Sequence, residues 1–239
     1  MRIEVPNSDL EEHVRRFGTR LEDYIWLPQS AENTRATYHP KLQQHGLLVA
    51  QERSRFKMSY NQRETDLHKQ GALIIILPEF TQLGKLLELD EVYDGNGNLI
   101  NKERVTEIKN EIFELRDPWR AEYIGNRFNT KPKVTTTSTT YFTINQDGKL
   151  IKVTESLSQD TLLNGDQLID LSSWFKNITV QGLPNNQTQK GSLNYCSPRN
   201  YAVAMFYAHT LDAGLLCSKS DNVISPNGVR EVRGRIFTI

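Results

Sequence analysis

Few side chains in this chain of 239 residues have the types and spacings that do chemistry. The five histidines are His13, His39, His45, His68 and His209, and none stands at metal-ligand spacing to another histidine, a cysteine or a carboxylate pair. The two cysteines, Cys196 and Cys217, are too few for a zinc site or a disulfide framework. They could pair if adjacent strands brought them together, but Cys217 falls on an apolar strand face and Cys196 does not. That placement favours a buried, inert thiol over a nucleophile. There is no glycine-rich phosphate loop and no Gly-x-Ser-x-Gly elbow. Asp94-Gly95-Asn96-Gly97-Asn98 opens like a calcium loop, which needs glycine at position six and glutamate at position twelve. Leu99 and Val105 stand there instead, and Asp-Gly with Asn-Gly reads as a turn. Asn177-Ile178-Thr179 and Asn186-Gln187-Thr188 match the glycosylation sequon, a pattern that arises easily by chance. No cofactor, no metal and no enzymatic activity is expected.

What remains is a surface. Residues 203–209 and 213–219 read as two strands, and successive side chains on a strand point to opposite faces. One face carries Ala204, Phe206, Ala208, Ala213, Leu215 and Cys217, small and apolar as a core is. The other carries Met205, Tyr207, His209, Gly214, Leu216 and Ser218, which follow no packing rule. A face free of packing constraints can be chosen for contact with a partner. Asp212 and Thr210 are expected to shape the turn between the strands.

Several elements must hold these strands. Residues 7–24 read as a helix, with Ser8 and Glu11 as a capping box and Leu10, Val14, Phe17 and Leu21 on one side. Residues 29–45 read as a surface connection. Leu47 to Ala50 look like a strand, and Arg53, Arg55 and Lys57 after it like a solvated basic face. Residues 61–70 suggest a short polar helix, and Leu73 to Leu77 a strand buried on both faces. Pro78 opens a helix with Phe80, Leu83, Leu86 and Leu87 buried. Asn101 caps a helix expected to reach Arg116, lined by Val105, Ile108, Ile112 and Leu115. Residues 135–154 read as strand, turn and strand, and residues 166–175 as a short helix around Leu168, Leu171 and Trp174. Helices first and most strands later argue for an α+β fold.

Composition narrows the function classes. Lysine plus arginine and aspartate plus glutamate balance at 29 each, so no net charge draws the chain to nucleic acid or an anionic membrane. The longest apolar run, Ala72 to Leu77, is too short to span a bilayer. The first residues, Met1-Arg2-Ile3-Glu4-Val5-Pro6, lack a signal peptide's apolar core. The chain is therefore expected to stay in the cell or to leave by another route, such as assembly into a particle. No heptad or apolar patch argues for an oligomer, so the oligomeric state stays open.

Five stretches recur together in one order. They are Val92-Tyr93-Asp94-Gly95-Asn96-Gly97-Asn98-Leu99, Leu115-Arg116-Asp117-Pro118-Trp119-Arg120-Ala121-Glu122, Gln181-Gly182-Leu183-Pro184, Ser197-Pro198-Arg199 with Val203-Ala204, and Gly228-Val229-Arg230. Between residues 74 and 232 the chain thereby resembles the variable proteins of diversity-generating retroelements, in their archaeal and viral branch. The resemblance implies a C-type lectin fold with an N-terminal helical extension. Residues 1–45 would be the extension, packed on the main domain, and residues 46–239 the C-type lectin-like domain, with a variable region at about 194–228.

In that family, error-prone reverse transcription at adenines rewrites chosen codons, and an asparagine codon so treated cannot yield Lys, Glu, Gln, Met or Trp. Between residues 194 and 228 only Met205 and Lys219 belong to that excluded set. Met205 stands where the family usually holds arginine, outside the varied set. The fixed positions map onto Val203, Ala204, Phe206, Ala208, Ala213, Leu215, Cys217, Gly228, Val229 and Arg230. The varied, ligand-contacting positions map onto Asn194, Cys196, Asn200, Tyr201, Tyr207, His209, Leu211, Gly214, Leu216, Ser218, Ser220 and Asn222. On the two strands this division coincides with the alternation of faces. Arg230 is expected to brace a loop through a carboxylate, with Asp117, Trp119 and Arg120 in similar framework roles.

The resemblance implies a binding protein for an unknown protein or glycan ligand on another cell or particle, displayed on a virion or cell surface. The calcium-site motifs Glu-Pro-Asn and Trp-Asn-Asp of related lectins are missing. Two rivals stand beside it. One is a structural virion or scaffold component whose C-terminal face packs permanently on a neighbour. The other is an enzyme on a formylglycine-generating type of fold, which would need an active cysteine pair in a polar cleft.

Overall fold

Residues 72–77 are buried throughout, yet only Leu73–Ile74 form a strand, β3, and Leu77 already begins a helix. The expected five-residue strand is cut short because its later backbone groups bond elsewhere. Ile75 N–H donates to the Arg230 carbonyl (3.0 Å), Gly125 N–H donates to the Ile75 carbonyl (2.7 Å), and Leu77 N–H donates to the Asn126 side chain (2.7 Å). Pro78 then lies in the first turn of α2 (Leu77–Leu86), and Glu79 accepts from Ile76 N–H at 2.9 Å.

The computed structural model describes residues 20–28, 46–89, 91–130, 137–145, 147, 149–158, 160–219 and 227–234. The fold is α+β. A small sheet has the order β1-β2-β12-β3, with β1 at Tyr24–Leu27, β2 at Leu47–Ala50 and β12 at Glu231–Gly234. A larger sheet has the order β6-β5-β4-β9-β10-β8-β7, and β11 (Asn227–Val229) pairs with β4. Its other strands are β4 (Arg120–Thr130), β5 (Thr137–Ile144), β6 (Leu150–Ser156), β7 (Gln167–Ile169), β8 (Leu193–Tyr195), β9 (Ala202–Ala208) and β10 (Ala213–Lys219). The remaining helices are α1 (Tyr60–Lys69), α3 (Lys102–Phe113) and α4 (Leu171–Lys176).

Several local readings hold. Asn101 Oδ1 accepts from Arg104 N–H at 2.7 Å and caps α3. The Asp94 loop is a turn held by its own aspartate, which accepts from the amides of Asn96 (2.9 Å) and Asn98 (2.8 Å). The hairpin of β5 and β6 forms as expected.

Others are corrected. Of the expected helix over 7–24, residues 7–19 lie outside the described residues. Leu21–Asp23 form one 3-10 turn and Tyr24 begins β1, because Tyr24 to Leu27 pair with Leu47 to Ala50. The boundary expected at 45/46 therefore falls between two paired strands. The connection at 29–45 lies outside the described residues. Helix α3 ends at Phe113, short of Arg116. Gln167–Ile169 are not helical: β8 recruits them as an antiparallel strand, and Asp170 caps α4 only after them.

The core sits between the larger sheet and the helices. Phe206 on β9 meets Phe80 of α2 (centroids 5.4 Å apart) and Phe113 of α3 (5.5 Å), with Trp174 of α4 stacked beyond Phe80 at 6.3 Å. A second cluster lies on the other side of the same sheet, where Tyr60 and Leu67 of α1 cover Tyr123, Val203 and Met205.

An ionic network joins the two sheets. Arg230 is fully buried at the step from β11 to β12. It donates to Glu122 on β4 (3.1 Å), to Glu111 on α3 (3.4 Å), and to the carbonyls of Ala50 (2.8 Å) and Gln51 at the end of β2. The expected loop-bracing arginine thus ties the two strands it joins, β11 and β12, to β2, β4 and α3. Gly228, within β11, lets that strand lie close to residues 53–56, because a Cβ there would sit 2.9 Å from the Phe56 ring and 3.1 Å from Arg53. The basic stretch is not a solvated face. Arg53 pairs with Glu111 (3.0 Å) and bonds the Ala121 carbonyl, and Arg55 pairs with Asp66 (2.9 Å); only Lys57 is exposed. Of the other expected framework residues, Arg120 is buried and bonds the Asn110 carbonyl, Trp119 is half-buried, and Asp117 is exposed.

Two outcomes follow from this network. Arg230→Ala leaves Glu122 buried without its partner and is expected to cost about 3–5 kcal/mol, read as a lower urea midpoint. Burial opposes the charge of Glu111, but Arg230, Arg53 and Arg120 outweigh it and hold the carboxyl below its ordinary 4.5. A depressed carboxylate contributes stability that is complete above 4.5 and lost as pH falls through the lower folded value. Urea midpoints of Glu111→Gln should therefore fall less than those of the native chain between about pH 5 and pH 3.

Candidate ligand-binding face

Strand register lays out the site. Leu168 pairs with Asn194, Asn194 with Gly214, Gly214 with Tyr207, and Tyr207 with Ala121, so one row crosses five strands on one side of the sheet. Next along β9 on that side come Met205 and Val203, which α1 covers; Met205 is only 6% exposed. The reverse face is therefore not free of packing as its sequence suggested. Val203 and Met205 belong to the core, and among the described residues of that face Tyr207, His209 and Ser218, towards the two ends of β9, stay partly open.

At the turn end, three side chains close on one another. Asp212 Oδ2 accepts from the Tyr207 hydroxyl (2.9 Å) and from Asn194 Nδ2 (2.9 Å), and Asn194 Nδ2 also donates to the Tyr207 oxygen (3.1 Å). Burial and the Asp212 bond push the Tyr207 hydroxyl up to about 12. His209 N–H donates to the Asp212 carbonyl at 2.8 Å and closes the turn. His209 Nδ1 accepts from Leu211 N–H at 3.2 Å, and Leu211 is 86% exposed. Gly214 offers no surface of its own. It is buried, and a Cβ there would lie 2.5 Å from the Asn194 carbonyl and 2.7 Å from the Tyr207 ring.

The opposite end of β9 carries a second group, about 20 Å away at the usual rise per residue. Tyr201 is 79% exposed and holds φ of 57°, a backbone region unusual for an aromatic residue. Asn200 accepts from Thr130 N–H at 3.2 Å. The loop before them is tied by Asp166, which accepts from Ser197 N–H (2.9 Å), Ser197 Oγ (3.0 Å) and Arg199. The Ser197 amide, with the Ser197 hydroxyl and Arg199, holds the Asp166 carboxyl below its usual range. Cys196 and Ser218 are half-buried here. Leu216 lies on β10 in register with Met205. Ser220 and Asn222 lie outside the described residues.

The structure thus brings Asn194, Tyr207 and Gly214 together with His209 and Leu211 beside them, and sets Cys196, Asn200, Tyr201 and Ser218 apart. Two residues were not foreseen in their full role. Asp212 was expected only to shape a turn, yet it also anchors two candidate contact residues. Asp166 had no expected role. Nothing in one sequence distinguishes a turn aspartate from one that reaches a neighbouring strand.

This arrangement presents apolar side chains, a phenol, an amide and a carboxylate. Among the described residues, no group of three or more His, Cys, Asp and Glu could hold a metal ion, and no helix is long and apolar enough to cross a membrane. Compared with family models, curated proteins and solved structures, the chain matches none.

Two measurements test this geometry. A raised tyrosine contributes stability that is present below its ordinary 10 and lost as pH rises through about 12. The difference in alkaline absorbance between the native chain and Tyr207→Phe should have its midpoint near 12, and Asp212→Asn should move it towards 10. Gly214→Ala is expected to cost about 1–3 kcal/mol in thermal unfolding. Removing the Tyr207 ring as well should leave most of that cost, because the nearest atom is backbone.

Proposed function

We propose that the protein is a ligand-binding variable protein with a C-type lectin-like fold, whose rewritable C-terminal face recognises a macromolecular ligand. One observation carries the reading: the two sides of β9 and β10 are unequal. Ala204, Phe206, Ala208, Ala213 and Leu215 are each at most 8% exposed, while Tyr207 and His209 on the other side and Leu211 in the turn reach solvent. Substitution at such positions alters contact without opening the core. Tyrosines at 201 and 207 supply contact area with few torsions to freeze, as in antibody paratopes. The burial of Val203 and Met205 under α1 narrows the rewritable part to the two ends of β9.

The ligand class that fits is a protein or glycan on another cell or particle, and the display site a virion or cell surface. Permanent packing against a neighbouring subunit is the second reading, favoured by the exposure of Leu211 and Tyr201 in the isolated chain.

Sequencing the DNA around the gene separates them. A reverse transcriptase with a near-copy of the segment encoding residues 194–228, differing only at adenines, is expected. No such copy, together with invariance at Tyr207, His209 and Leu216 in natural isolates, would overturn the proposal in favour of subunit packing. In the purified chain, His209→Ala and Leu211→Ala should each change stability by less than about 0.5 kcal/mol, whereas Phe206→Ala should cost about 3–5 kcal/mol in urea unfolding.

A further inference from the structure

The chain has two cysteines, 21 positions apart, and the fold brings both thiols to one carbonyl group. Cys217 Sγ lies 3.3 Å from the Ser197 oxygen and 3.7 Å from the Cys196 oxygen, and Cys196 Sγ lies 3.7 Å from the Ser197 oxygen. Strict strand alternation would put the two side chains on opposite faces, since Tyr195 pairs with Leu215 in the parallel ladder. But β8 ends at Tyr195, and beyond that point the pleat no longer dictates where Cys196 points. Neighbouring strands about 4.8 Å apart, with an offset of one residue, place the two Cα atoms about 6 Å apart, inside the range a disulfide spans. Both residues are half-buried and both are free thiols.

We propose that Cys196 and Cys217 are a redox pair that closes an intramolecular disulfide and pins the loop 197–201 to β10. That loop carries Asn200 and Tyr201, and its other side-chain ties, Ser197 and Arg199 to Asp166 and Asn200 to the Thr130 amide, are exposed, the Arg199 pair being open to screening by salt. The oxidant is a disulfide, of a small molecule or another protein. The Cys196 thiolate attacks one of its sulfurs and expels the first thiol. Cys217 then attacks Sγ of Cys196, the bond between Cys196 and Cys217 forms, and the second thiol leaves. The protein gives up two electrons and two protons, and the oxidant takes them as two thiols. Cys196 makes the first exchange because burial pushes the Cys217 thiol up to about 12, with Cys196 beside it adding to the rise.

The test uses the full chain, oxidised glutathione at mildly alkaline pH, and intact mass after alkylation in denaturant. The expected product is a monomer two hydrogens lighter that takes no alkyl group. Cys217→Ser should stop at a single glutathione adduct on Cys196, and Cys196→Ser should take glutathione far more slowly. The closed form should unfold about 5–10 °C higher than the reduced form, as bridging a loop of this length implies. Tryptic cleavage after Arg199 should slow relative to cleavage after Lys57. Chains carrying glutathione on both cysteines, disulfide-linked dimers as the main product, or two thiols still open to alkylation would overturn the pairing. A closed bond with no rise in unfolding temperature and no slower cleavage would overturn the pinning of the loop.

Discussion

A guanidinium taken wholly out of water has to be matched by charge and by hydrogen-bond acceptors, and Arg230 imposes that demand on this fold. It stands where the chain leaves β11, in the larger sheet, and enters β12, in the smaller one. The glutamates and carbonyls that satisfy it come from β4, α3 and β2, and its own carbonyl accepts from Ile75. Each partner is thereby held in relation to the others. The neighbouring bulge in β4, between Tyr123 and Arg127, turns Gly125 and Asn126 towards the segment linking β3 to α2 and completes the junction. The two sheets meet through buried polar bonds with defined directions, where apolar contact alone would allow sliding.

The candidate face inherits its rigidity from this junction. Glu122 fixes β4, β4 pairs with β9, and β9 carries Phe206 into the aromatic core on one side and Tyr207 out on the other. A side chain on such a strand has its backbone position decided by groups it does not touch. That is the physical condition under which contact residues can be exchanged while the scaffold stays. The condition is not uniform along the strand. Under α1 the same side is packed by Val203 and Met205, and at the turn Tyr207, Asn194 and Asp212 hold one another. Gly214 lies beneath two of them and ties their permissible sizes together.

Local signals were legible where one residue meets its own near neighbours. The Asn101 cap, the Asp94 turn, Pro78 in the first turn of α2 and the hairpin of β5 and β6 each depend on atoms a few positions apart. The alternation along β9 and β10 was legible because a strand's period is intrinsic to its backbone. Readings failed where a distant partner intervened. Arg53 looked like a solvated cation because Glu111 lies 58 positions away. Leu73 to Leu77 looked like one strand because the β4 bulge that takes over its later bonds lies some 50 residues on. Gln167–Ile169 followed β8 rather than their helical spacing.

The sequence by itself determined the α+β class, the ends of several elements and the apolar side of the last hairpin, since these follow from propensity, capping and periodicity. Only the tertiary structure decided which part of the other side stays open. That depends on where α1 lands, and no pattern in residues 202–219 encodes the position of a helix at residues 60–69. The same holds for the meeting of Cys196 with Cys217 and for the hold of Asp212 on Tyr207 and Asn194. Each needs strands in register, and the cysteines also a chain end freed from its pleat; register is a property of the assembled sheet.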